Sequence, residues 1–288
     1  MRKIALGLMS GTSADGLTVC AVQIRPFKVL HFKNYAYPAA LQHRLLTAFS
    51  LRAAELSALH FELGYLYAKT VCKFLKDFSL SAREIEVIGS HGQTVYHGPH
   101  DKTPNTLQIG EPSFLSARIG CPVVSDFRPM DIALGGEGAP LIPFFDEYFW
   151  GKKSAKILLN VGGISNFSVV GKKVKTVGFD VGPGNTLIDL ACQTFFKKPF
   201  DKNGTLAAQG APDKELVARL LTQPYFSQKP PKSLDKNTFG EAYLKKYFLN
   251  DFKKPHDLLA TLTWFTAASV AKAIADFVPP AHQKEVIV

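Results

Sequence analysis

Three apolar runs open the chain, at residues 4–8, 17–24 and 29–37, each short and bounded by Gly, Ser, Asp or Pro. That pattern predicts three successive strands. The period then lengthens, and apolar positions over 41–49 and 54–78 recur at three and four residues, which predicts helices. Strand-like segments return at 86–90, 106–109 and 123–125, so the first half closes as alternating helix and strand. A second meander starts at Lys156: "KILLNVGGISNFSVVGKKVKTVGFDVGPGN" reads strand, Gly-rich loop, strand, Gly-Lys turn, strand.

The two starts, "KIALGLMSGTSADGLTVCAV" and "KILLNVGGISNFSVV", each place an apolar strand before a Gly/Ser/Asn loop and another strand after it. Duplication of one unit predicts two similar lobes with a ligand held between them, against chance likeness of two buried hairpins. The length of 288 residues with 46% hydrophobic content suits two domains, expected at 1–150 and 151–288. Arg2, Lys3 and the apolar residues 4–9 imitate a signal peptide, but the run is too short and breaks into Ser-Gly-Thr-Ser, so a cytoplasmic protein is expected. The apolar stretch 258–271 is read as a buried core helix too short to span a bilayer, and no membrane partner is expected.

Four scattered cysteines, Cys20, Cys72, Cys121 and Cys192, offer no C-x-x-C pair and read as buried thiols. The net charge of +10 comes almost wholly from the second half, where 20 Lys and Arg face 11 Asp and Glu. Its Lys pairs, Lys253-Lys254 among them, carry no nucleic-acid-binding motif; they read as solvated faces, in a field that also suits an anionic small ligand.

Candidate chemistry clusters in the glycine-rich loops. The loop over 10–16 is either an anion nest, its backbone N–H groups turned toward phosphate, or an ordinary tight hairpin. Neither the P-loop pattern nor the dinucleotide fingerprint occurs. Asp180, at a glycine-rich turn in "VGFDVGPGN", is a candidate general base, with capping of a helix near Asn185 as the alternative. Arg128 in "SDFRPMDIALGGEGAPLIP" either holds a substrate carboxylate or pairs internally with Asp126 or Asp131. His91 and His97 in "SHGQTVYHG" have no metal-ligand spacing and read as sugar contacts or as structural histidines.

Together "GLMSGTSADG", "GSHGQTVYH", "LQIGEP", "SDFRPMDIALGGEGAPLIP", "LLNVGGISNFS", "GFDVGPGN" and "DKNGTLAAQG", in this order, resemble the anhydro-N-acetylmuramic acid kinases of the acetate and sugar kinase/Hsp70/actin superfamily. The resemblance implies an α/β fold of two duplicated ribonuclease-H-like lobes, ATP and Mg²⁺ as cofactors, an amino-sugar substrate and a homodimer. It implies cleavage of the 1,6-anhydro ring with phosphorylation of O6, a step of peptidoglycan recycling. Carried over, Gly11, Thr12, Ser13, Ala14, Asp15, Gly16, Leu17 and Thr18 resemble the first phosphate site, and Gly162, Gly163 and Ser165 the second. Asp180 matches the general base, His91, Gln93, Arg128 and Asp131 fall on the substrate side, and Asp15 is the candidate for water-mediated support of Mg²⁺.

Three departures stand out. Thr18 occupies the place of a usual second aspartate, which weakens an Asp-based metal role there. "PPKSLDKNTFG" at 230–240 keeps only the first four residues of the family's "PPKSTGRE", which puts substrate contacts from that loop in doubt. The closing "EVIV" resembles the strand before a glycine-rich adenosine-binding segment, which implies a C-terminally incomplete second lobe with weak, unselective nucleotide binding and little turnover. Alternatives to the kinase are therefore a non-catalytic phosphate- or sugar-binding relative and an Hsp70-like ATPase module.

Overall fold

The computed structural model describes residues 3–234, 238–248, 252, 254–283 and 285–288; Arg2, residues 235–237 of the 230–240 segment and Lys253 lie outside the described residues. The chain separates into two units, Met1–Gly138 and Ala139–Val288, ahead of the boundary expected at 150. The shift has a physical reason: the helix Ile142–Trp150 packs on strands Ile164–Val170 and Val177–Pro183, so it belongs to the second unit.

In the first unit, β1 (Ile4–Ser10), β2 (Gly16–Gln23) and β3 (Lys28–Ala36) form the expected antiparallel meander. Alternation sets its register, because Ile4, Leu6 and Leu8 of β1 and Leu17, Val19 and Ala21 of β2 all bury their side chains, and a one-residue slip would turn them outward. Helices α1 (Ala39–Leu46) and α2 (Ala53–Asp77) follow. The α2 stripe Leu59, Leu63, Tyr67, Val71 and Phe74 is buried at helical spacing, each side chain contributing about 1.5–3 kcal/mol of burial. Then β4 (Ile85–Gly98) runs parallel to β1. Its second half pairs antiparallel with β5 (Asn105–Ile109), while its first half pairs in parallel with the short β6 (Val123–Val124), which follows α3 (Ser113–Ile119). The strand order is β3-β2-β1-β4-β5, and α4 (Phe127–Ala133) closes the unit.

The second unit opens with α5 (Ile142–Trp150) and repeats the meander as β7 (Lys156–Val161), β8 (Ile164–Val170) and β9 (Val177–Pro183). Short helices α6 (Thr186–Ala191), α7 (Lys214–Leu220), α8 (Pro224–Ser227) and α9 (Glu241–Tyr247) lead to the long α10 (Pro255–Phe277) and to β10 (Val286–Ile287). β10 pairs in parallel with β7, giving the order β10-β7-β8-β9. Both sheets therefore share one plan, an antiparallel meander whose first strand takes a later strand in parallel.

α10 corrects one expectation. It has 23 residues, long and apolar enough by length and composition to cross a membrane, rather than too short. It is nonetheless a core helix of this unit, since Leu258, Leu259, Leu262 and Phe265 pack with Phe226, Phe239 and Phe248 while Val270 and Ala273 pack with Ile157, Phe167 and Phe179.

Candidate active site

The β1–β2 connection of the first unit is tight. Ala14 takes a left-handed φ of 48°, its N–H donates to the Gly11 carbonyl at 3.0 Å, and its wholly buried methyl group holds the loop to the core. Thr12, Ser13 and Asp15 are exposed, with the Ser13 hydroxyl donating to the Asp15 carboxylate at 3.0 Å. The loop carbonyls are braced from behind: Gln42 donates to Ser13 O at 3.1 Å and the Tyr37 N–H to Asp15 O at 3.0 Å. Gly16, Leu17 and Thr18 already belong to β2; Leu17 points into the core and the Thr18 hydroxyl donates to Asn34 at 3.3 Å.

Below the loop lies a buried polar network. Ser10 Oγ donates to Gln93 Oε1 at 2.5 Å, Gln93 Nε2 donates to Gly11 O at 3.0 Å, and Tyr37 Oη donates to Ser10 Oγ at 3.1 Å. Burial pushes the Tyr37 phenol up and Tyr67 well up, so both stay protonated donors. Gln93, placed on the substrate side by resemblance, is 1% exposed, and its amide braces the loop.

β4 bends where Gly92 takes φ 74° against the Ile109 carbonyl, a conformation that favours glycine. His91, just before it, is buried: Nδ1 lies 2.9 Å from Gly92 O and Nε2 accepts from Arg128 Nε at 2.9 Å. Donation from Nδ1 and acceptance at Nε2 define one neutral tautomer, and burial followed by the Arg128 charge lowers the His91 pKa in agreement. Arg128 also donates to Gly138 O at 2.7 Å, while the Asp131 carboxylate accepts from Gly138 N at 2.6 Å. Thus His91, Arg128 and Asp131 meet around the 135–138 glycine loop, and Arg128 and Asp131 grip the same residue from two sides. His97 stands apart, 3.1 Å from the Thr106 hydroxyl.

In the second unit the β7–β8 turn is Gly162-Gly163. Its carbonyls accept the N–H groups that lead into α6: Asn185 donates to Gly162 O at 2.8 Å, and Gly184 and Thr186 donate to Gly163 O at 2.9 and 3.3 Å. Gly163 is exposed, whereas Ser165 is fully buried with its hydroxyl donating to Pro183 O at 3.0 Å. Ser165 therefore shapes the turn from inside and presents no side-chain oxygen at its surface.

Asp180 sits in the middle of β9, opposite Asn166 at an irregularity of the ladder, and so caps no helix. It is buried, and Oδ2 accepts the Leu234 N–H at 2.9 Å. Its N–H donates to Lys232 O at 3.1 Å and its carbonyl accepts the Tyr225 hydroxyl at 2.6 Å. Sequence reasoning missed Tyr37 and the Tyr225–Lys232–Leu234 set; the retained "PPKS" quartet was the available signal for the second.

Two sheets that share the order of an antiparallel meander plus a parallel fourth strand, each with a glycine-rich first hairpin, define the duplicated ribonuclease-H-like, actin-like ATPase class. The family model described as anhydro-N-acetylmuramic acid kinase matches residues 3–288, and the chain belongs to that family. Relatives bearing that name include a Bacillus cereus protein, 36% identical over 98% of this chain and 77% of its own, and a Coxiella burnetii protein, 40% identical over 94% and 75%. A Sulfurimonas denitrificans relative is 37% identical over 95% of this chain and 77% of its own.

Proposed function

We propose that this chain is an ATP-dependent anhydro-N-acetylmuramic acid kinase acting in peptidoglycan recycling in the cytoplasm, with Asp180 as its general base. The observation that carries the reading is a carboxylate buried in the β9 strand and hydrogen-bonded by a backbone N–H, in a chain that matches this kinase family from end to end. Buried, oriented carboxylates make effective bases because the rigid strand holds them in one attack geometry. Asp180 takes a proton from the water that attacks the anomeric carbon; the C1–O6 bond breaks, and the released O6 attacks the γ-phosphorus, displacing ADP.

The exposed edge of residues 11–15 and the Gly163 turn are the proposed phosphate contacts. Arg128, oriented by His91 and Gly138, is the proposed cation for the substrate's lactyl carboxylate, with Asp131 fixing the adjacent loop. The exposed Asp15 carboxylate is the residue that would support Mg²⁺, through water, beside the phosphates. Bound there, Mg²⁺ would supply charge neutralisation for the transferring phosphoryl group.

Reaction in ¹⁸O-water tests the coupling. Label is expected on the anomeric hydroxyl of the phosphorylated sugar and absent from phosphate. Labelled inorganic phosphate as the main product would reduce the protein to an ATPase and overturn the reading.

A further inference from the structure

β9 is the outer strand of its sheet, and an outer strand leaves N–H and C=O groups unpaired along its free edge. Among the described residues, the stretch 225–234 bonds to that edge at Asp180. Three bonds from it reach this one residue: the Tyr225 hydroxyl to the Asp180 carbonyl, the Asp180 N–H to the Lys232 carbonyl, and the Leu234 N–H to Asp180 Oδ2. Backbone and carboxylate are thus held by the same stretch, which restricts how the carboxylate can turn.

The stretch is itself tied down. Lys232 is 2% exposed, and its Nζ donates to Tyr225 O at 3.1 Å, closing the stretch into a loop. The same ammonium group lies 4.6, 4.7 and 5.6 Å from the ring centroids of Tyr225, Phe277 and Phe179, which joins the loop to the end of α10 and to the neighbour of Asp180. Desolvation disfavours the buried Lys232 cation, and the attraction of Asp276 offsets that cost only in part. An apolar side chain would fill the space without that cost, so what Lys232 supplies is a directional link between the Tyr225 carbonyl and three rings.

We propose that residues 225–234 form a strap that positions Asp180, with Tyr225 and Leu234 as its contacts and Lys232 as its buried anchor. The inference rests on the reading of Asp180 as general base. A carboxylate displaced by an ångström from its line to the attacking water loses turnover without losing ground-state binding. Its test is therefore a split between kcat and KM. Tyr225→Phe keeps the ring under Lys232 and removes the hydroxyl; kcat is expected to fall about 10-fold, with both KM values within about 2-fold and the urea midpoint near that of the parent. Leu234→Pro deletes the N–H that reaches Oδ2 and is expected to lower kcat by ~10-fold or more, while Leu234→Ala, which keeps that N–H, restores most of the turnover that the proline loses. If the proline variant fails to fold, Tyr225→Phe decides alone. Asp180→Asn separates the two readings: parental turnover in that variant removes the base and with it the strap's task. Lost turnover there, together with parental kcat in Tyr225→Phe, overturns the strap alone.

Discussion

Gln93→Leu distinguishes a brace of the phosphate loop from a sugar contact. The substitution removes two short hydrogen bonds, the one accepted from Ser10 and the one donated to Gly11 O, and a longer third that Gln93 donates to Thr94 O at 3.3 Å. Neither partner is orphaned, since Ser10 Oγ still reaches Gly16 O at 3.2 Å and Gly11 O still accepts the Ala14 N–H. The loss is therefore dominated by the two short hydrogen bonds, about 0.5–1.5 kcal/mol each and roughly 1–3 kcal/mol together, without the larger penalty of stranding Ser10 or Gly11. A urea titration reads that loss as a lower midpoint with an unchanged slope. Kinetically, if the loop receives the phosphates, the same 1–3 kcal/mol bounds the weakening of ATP binding at roughly 5- to 150-fold, while the KM for the anhydro sugar stays within about 2-fold. A rise in the sugar KM with the ATP KM unchanged would refute the reasoning and return Gln93 to the substrate side.

The other predictions concern the second unit. Asp180→Asn is expected to lower kcat by ~10² to 10⁴ with nucleotide affinity retained by calorimetry; turnover within a few-fold of the parent would remove it from the mechanism. Gly184→Ala would drive a methyl group into the backbone carbonyl oxygen of Gly162, which cannot rotate away, and is expected to cost about 2–4 kcal/mol in thermal or urea unfolding; an unchanged midpoint would mean that the hairpin and the α6 start are not locked together. Burial, and secondarily Lys272, lowers the Lys232 pKa from 10.5 to about 8, against the opposing pull of Asp276. The unfolded state then binds more protons between about pH 8 and 10.5, so stability rises with pH through that window and the charge penalty is fully present below it. The parent minus Lys232→Met difference in unfolding free energy should grow in the parent's favour from pH 8 to 10.5; a flat difference would show that Lys232 titrates normally.

The first meander was legible because β1 and β2 alternate against a buried layer, and the second because β8 and β9 are short, mostly buried apolar runs bounded by glycine turns. β4 was read as five residues and runs for fourteen. The missed portion begins "HGQTVYHG", whose buried polar groups imitate a loop until their partners are known: His91 answers Arg128, and Gln93 answers Ser10 and Gly11. The Ser165 hydroxyl, beside a glycine turn, looks available in the sequence for a related reason, whereas its partner in the fold is a carbonyl 18 residues onward. The partners of Asp180 lie 45 and 54 residues away and reach it by a hydroxyl and a backbone N–H, so the sequence shows the carboxylate and hides what aims it.

The two glycine loops also differ in what they leave for an anion. In the second unit the carbonyls of Gly162 and Gly163 already hold the N–H groups of Gly184, Asn185 and Thr186, the donors that a helix start would otherwise turn toward a phosphate. A phosphate received there must therefore meet the hairpin, and Gly163 is its exposed residue. A Cβ at Gly163 would come within 2.7 Å of the Thr186 hydroxyl, which places the hairpin directly against the start of α6. In the first unit the bracing runs the opposite way: Gln42, Gln93 and the Tyr37 N–H take the loop carbonyls, which directs Thr12, Ser13 and Asp15 outward. The proposed division of labour follows from these bonds, with side chains and carboxylate offered by the first loop and bare backbone by the second.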